Sequence, residues 1–158
     1  LEEVAFQLKN QWGQAGIDTE VLTYSISQLK QDIIKSRNYE MLLFGEVLEA
    51  TPDPYPFWHS SQIKDPGLNF SKYANSQAYK LLEKARTTLD QASRVKNLQD
   101  FQNIVIEDAP ALFLYSPEYI YLSSNKIKGN AMGQMIVDPS KRFSSIENWY
   151  INTKKTWK

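Results

Sequence analysis

The chain is expected to be an α/β protein, with helices laid against a parallel sheet. Three observations predict this. Segments of helical and strand period alternate from the first residues onward. A short apolar run, Met41 to Phe44, has the length and flanks of a buried strand. A pair of amphipathic segments between Ser76 and Asp108 has the spacing of two linked helices.

Taken in order, Ala5, Leu8, Trp12 and Ala15 recur at steps of three, four and three, giving one apolar helix face. Gly16 supplies the left-handed residue that ends a helix cheaply. Ile17 to Tyr24 is β-prone with rough alternation, which reads as a half-covered strand. Ser25 and Gln28 have capping-box spacing, and Ile26, Leu29 and Ile33 continue a helix toward Asn38. The run at Met41 follows. The α-β-α-β order favours parallel strands, because each crossover then has a helix to cover it.

Gly45 breaks that run, and Pro52, Pro54 and Pro56 forbid regular structure beyond it, since each fixes φ and lacks an N–H. Ile63 to Tyr73 is polar and holds a Pro66-Gly67 turn signal. Asn75 or Ser76 caps the next helix, with Ala78, Leu82, Ala85 and Leu89 on one face. Asp90 caps its successor, with Leu98, Phe101 and Val105 inward, and Pro110 stops it near Asp108. Ala111 to Tyr115 and Tyr119 to Leu122 are strand-like. Asn125 to Gly133 reads as a loop, and Arg142 to Trp157 is aromatic-spaced without a clear period.

Composition narrows the function classes. The 158 residues suit one domain, and Lys+Arg equals Asp+Glu at 18 each, so no basic face is implied. That weighs against nucleic acid, whose binding rests on phosphate neutralisation. With no cysteine and one histidine, thiol catalysis, thiolate metal sites and disulfides are excluded, leaving oxygen ligands for any metal. Glu46, Glu49 and Asp53 lack EF-hand spacing, and Gly13, Gly16 and Gly45 are isolated rather than a phosphate loop. No apolar stretch reaches the ~20 residues of a membrane span. A helical pattern is already under way by Val4 and no initiator Met precedes it, so the chain is expected to be a piece of a longer protein, with any export signal outside it.

His59-Ser60-Ser61 puts a base beside two hydroxyls, but triads converge from separate elements and no G-x-S-x-G elbow exists. Enzyme chemistry is therefore set aside. What is left is grip by main chain and carboxylate. Beyond Gly45 an extended chain leaves alternate N–H and C=O groups free for an incoming strand, the mode called β-augmentation. Glu49 can counter a ligand ammonium in such a site, or simply face solvent. Tyr55, Phe57 and Trp58 read two ways, as flanks of a ligand or as plugs of a core.

These residues resemble the extracellular solute-binding proteins of family 5, the receptors of ABC importers for peptides, nickel and oligosaccharides. The likeness runs along nearly the whole chain: Ala15–Ile17, Tyr39–Gly45, Pro52–Gln62, Leu68–Tyr73, Leu81–Arg86, Asp90 with Arg94, Asp108–Pro117, and Arg142-Phe143 with Trp149-Tyr150. The resemblance implies a class II periplasmic-binding-protein fold, of which residues 1–158 form a single partial domain. That piece is the C-terminal lobe, with helices packed on a small mixed sheet. It also implies a peptide ligand or another small solute, ABC permease subunits as partners, no cofactor, and an extracytoplasmic location with a lipid anchor or signal outside this piece. By the same resemblance Gly45 and Val47 offer backbone bonds and Glu49 takes the ligand's amino terminus, a place the family's peptide receptors give to aspartate. Asp53, Trp58 and His59 shape the loop beside them. Glu46 stands where those receptors often carry Trp, which admits a different solute. An oligosaccharide receptor on the same scaffold and a non-transporting interaction module are the alternatives.

Overall fold

A computed structural model describes residues 1–47, 53–130 and 139–153. The chain divides into two compact units, one of Leu1–Glu46 with Asp53–Leu112 and one of the described residues within Val47–Pro52 and Phe113–Lys158.

In the first unit α1 spans Glu2–Gln14, its half-buried face running along Val4, Ala5, Leu8 and Trp12. It ends in a Schellman motif: Gly16 sits at φ +83° and donates to Gly13, while Ile17 donates to Trp12 at 2.9 Å. Helix α2 (Ile26–Gln28) opens with the expected capping box from Ser25 and Gln28, then widens into a π-helical turn over Leu29–Ile34. The wider turn moves the buried position from Ile33 to Ile34 and leaves Ile26 exposed.

The described core is carried by a helical hairpin. Helix α4 (Ser76–Thr87) follows the one-turn α3 (Tyr55–Trp58) and is capped by Asn75, whose Oδ1 accepts from Gln77 and Ala78. Helix α5 (Gln91–Asp108) is capped by Asp90, which accepts from Ser93. Ala78, Leu82, Phe101 and Val105 bury together with Tyr73. Leu89 does not join them: it is 102% exposed, because α4 stops at Thr87 and leaves it in the linker. Ala109 then adopts φ +46° and ends α5, one residue before Pro110.

Helices in the first unit and a small sheet in the second keep the chain in the α/β class. The sheet of the described residues is β1 (Ile127–Lys128) antiparallel to β2 (Tyr150–Ile151), pairing Ile127 with Ile151 and Lys128 with Tyr150. The runs Ile17–Tyr24, Met41–Phe44, Ala111–Tyr115 and Tyr119–Leu122 carry no ladder among the described residues, so the parallel pairing expected from element order is not formed there. A β-prone sequence becomes a strand only when a neighbour accepts its N–H and C=O groups. The side chains of these runs are largely exposed, Leu112, Phe113, Ile120 and Leu122 at 68–88%. Glu49 and Pro52, the end of the Asn125–Gly133 loop and Trp157 lie outside the described residues.

Candidate ligand-binding segment

Residues 39–47 leave the turn after α2 anchored on one side only. Arg37, in a left-handed conformation at φ +56°, is buried and donates to the carbonyls of Ile34, Ile63 and Gly67, with its guanidinium 4.9 Å from the Phe70 ring centre. Tyr39 donates its hydroxyl to Phe70 O at 2.6 Å, and Phe44 meets the Phe70 ring edge-on at 5.1 Å. Burial pushes the Tyr39 hydroxyl up, against the opposing pull of Arg37. Past Phe44 the anchoring stops. Gly45, Glu46 and Val47 are exposed, and their backbone N–H and C=O groups join no hydrogen bond among the described residues. A Cβ on Gly45 would meet nothing within 4 Å, and its φ lies outside the left-handed region, so the folded chain itself does not require glycine there. Glu46 is exposed as a residue, yet surrounding protein desolvates its carboxyl enough to hold its pKa above the ordinary value. It has no ion-pair partner among the described residues.

The proline loop, by contrast, is spent on holding itself. Asp53 accepts from Tyr55 N–H at 3.1 Å and pairs with Arg86 Nε of α4 at 3.2 Å, while Arg86 also lies 4.2 Å from the Tyr55 ring centre. Trp58 packs against the hairpin core and meets Tyr73 edge-on at 6.1 Å. Of its two readings, the core plug describes these contacts.

His59 is only 7% exposed, stacked on Tyr55 at 4.2 Å with Tyr79 edge-on at 5.2 Å. Its Nδ1 accepts from Ser61 N–H at 3.1 Å and lies 2.8 Å from Ser61 Oγ, and its Nε2 faces Glu83 Oε1 at 3.3 Å. His59 and Ser61 therefore do aim at one another, contrary to what their adjacency in a loop suggested. The geometry is that of a cap: Nδ1 already takes the Ser61 N–H of the turn Ser60–Gln62, so the ring's hydrogen sits on Nε2, toward Glu83. A lone pair occupied by the backbone anchors a turn; it is not free to abstract a proton.

The residue that sequence reasoning passed over is Asn69. It is 0% exposed, donating to His59 O (3.1 Å) and Tyr73 O (2.9 Å) and accepting from Tyr73 N–H and Ser71 Oγ (both 3.1 Å). An asparagine beside a Pro-Gly turn reads as another turn residue, and nothing local marks it as a buried four-bond clasp. Tyr73 in turn donates to Asp108 Oδ2, which also accepts from Asn75, tying the start of α4 to the end of α5. A separate shallow concavity at the end of α1 is lined by Lys9, Asn10, Gly13, Gly16, Ile17, Asp18 and Thr19 and shares no residue with the Gly45 segment.

No family model matches the chain. The chain is 27% identical over 151 residues to the oligopeptide-binding protein AppA of Bacillus subtilis, covering 95% of this chain and 27% of that protein. It is 37% identical over 138 residues to the probable D,D-dipeptide-binding periplasmic protein DdpA of Escherichia coli, covering 85% of this chain and 26% of that one. The peptide transport periplasmic protein SapA of Haemophilus influenzae is 26% identical over 137 residues, covering 82% and 24%. Among solved structures, AppA from Bacillus subtilis in complex with a nonapeptide superposes with a TM-score of 0.72 at 26% identity, covering 96% of this chain and 29% of that one. The chain is thus a relative of the family 5 extracellular solute-binding proteins, corresponding to about a quarter of their length.

Proposed function

We propose that the chain is the C-terminal part of a peptide receptor feeding an ABC importer outside the cytoplasm, and that it works by binding alone, without catalysis. The observation that carries this reading is the run from Glu40 to Val47. Side chains at Tyr39 and Phe44 fasten its start to Phe70, whereas no backbone N–H or C=O of residues 40–47 joins a hydrogen bond among the described residues, and at Gly45 the fold itself does not call for glycine. A backbone in that state suits an extended peptide, which adds as a strand and supplies the missing partners. The bare Cα of Gly45 lets the incoming main chain approach closely. Glu49 is assigned the counter-charge for the ligand's amino terminus. Asp53, Trp58 and His59 act at one remove, holding the loop that frames the segment. Peptide binding stabilises a closed arrangement of the full receptor, which the permease subunits then recognise.

Calorimetry of the full-length receptor with peptide mixtures and with oligosaccharides tests the reading. Heat from peptides is expected, and heat from oligosaccharides alone overturns it. Gly45→Val is expected to leave the melting temperature unchanged and to weaken peptide binding by about tenfold or more, through steric exclusion of the approaching backbone. Unchanged affinity in that variant would remove Gly45 from the site.

A further inference from the structure

We infer that Glu46 makes this receptor select peptides carrying a cationic side chain at the position that pairs across from it. This rests on the peptide-receptor reading and narrows its substrate class. Three observations converge on Glu46. It lies in the run of residues 39–47, whose backbone groups join no hydrogen bond among the described residues, so a strand added along that run passes it. No Lys or Arg lies within ion-pairing distance among the described residues, although the chain carries 18 of them. Surrounding protein also strips water from the carboxyl, which disfavours its charged form until a cation arrives.

The register explains which part of the ligand is read. In a paired strand side chains alternate, so residues 44 and 46 share one face and residues 45 and 47 the other. Phe44 is already committed to Phe70 on its face. Glu46 is therefore the next side chain along that face, and the ligand residue directly opposite lies within the ~4.5–5.5 Å Cβ separation of a cross-strand pair. A Lys or Arg there meets a carboxylate that is partly out of water, where a charge-assisted hydrogen bond is stronger than on an open surface. A neutral residue at the same place takes further water from that carboxylate without pairing it, so the preference comes partly from a penalty against the wrong ligand.

The test uses the full-length receptor and soluble nonapeptides of Ala and Ser with one Lys moved through each position, each matched to its acetyl-lysine twin. One position is expected to favour Lys over acetyl-lysine by about tenfold or more, the low end for a hydrogen bond to a charged group. Glu46→Gln should abolish that preference and Glu46→Lys should reverse it toward a Glu-bearing peptide. Glu40→Gln, an exposed acid earlier in the same stretch, should leave it intact. Equal binding of Lys and acetyl-lysine peptides at every position overturns the inference while leaving the peptide receptor standing. A preference that survives Glu46→Gln also overturns it, assigning the selection to another acid. If no peptide binds at all, the receptor reading fails and this inference fails with it.

Discussion

Removing the Asn69 amide should loosen the first unit more than any surface change near the Gly45 segment. In Asn69→Ala, Tyr73 loses the partners of both its N–H and its C=O, and neither has a second among the described residues. His59 O keeps Gln62 N–H, at 3.0 Å, and so is not orphaned. Two buried groups left unpaired cost about 1–3 kcal/mol each, so the expected loss is about 2–6 kcal/mol. A domain holds only about 5–15 kcal/mol in total, so this is a large share. The assay is native-state hydrogen exchange read at Tyr73, whose amide is protected by Asn69 Oδ1, together with the thermal transition. Protection should fall by about thirtyfold or more, following the conversion of about 1.4 kcal/mol per factor of ten. Asn69→Asp separates hydrogen bonding from volume. It is nearly isosteric, but it turns two donated bonds into a carboxylate facing two carbonyls, so it should be at least as damaging as alanine. A loss below about 1 kcal/mol in Asn69→Ala, or a mild Asn69→Asp, would refute the clasp.

Other perturbations follow from the same contacts. Hydrogen bonds from Tyr73 and Asn75 hold the Asp108 carboxyl below its ordinary value, so their contribution is present at neutral pH and is lost as pH falls through that depressed pKa. Burial, then the bond to Asp108, push the Tyr73 hydroxyl above its ordinary 10.0, so its contribution is present below pH 10 and is lost as pH rises beyond it. Tyr73→Phe should shrink both limbs of the stability–pH curve, and identical curves for wild type and variant would contradict this. Arg37→Lys should destabilise by roughly 1–3 kcal/mol, measured by urea unfolding, because an ammonium cannot reach three carbonyls with the spread of a guanidinium. Arg86→Ala should cost no more than about 1 kcal/mol, since its pair with Asp53 is half-exposed. Asp53→Ala should cost more than Arg86→Ala, because it also strips the N–H of Tyr55 of its acceptor.

Local chemistry was legible where a signal and its partner lie within a few residues. The capping box at Ser25, the caps at Asn75 and Asp90, the glycine end of α1 and the stop before Pro110 all appear as the sequence predicts. The apolar stripe Ala78, Leu82, Ala85 is right, and it fails only at Leu89, where the helix has already ended. Contacts closed over longer spans were not legible. Asn69 reaches His59 ten residues back, Arg37 reaches Gly67 thirty residues on, and Tyr73 reaches Asp108 thirty-five on. No pattern of period 2 or 3.6 encodes such closures. The β-prone runs were recognised as to composition, yet pairing depends on a neighbour that composition does not specify. At the candidate site, Gly45 was legible as a break, whereas the lack of any contact around it is visible only in three dimensions.

The run from Tyr119 to Leu122, which joins no ladder among the described residues, divides mutations in this chain into two kinds. A change at Leu82 or Phe101 strikes packing that the chain completes by itself, so it registers in any measurement of folding. Exchanging Ile120 or Leu122 for threonine removes nothing from that interior, so the isolated chain should melt as before. Whatever such a change does must appear in association, solubility or assembly, and a screen that scores thermal stability alone would pass over those positions as neutral.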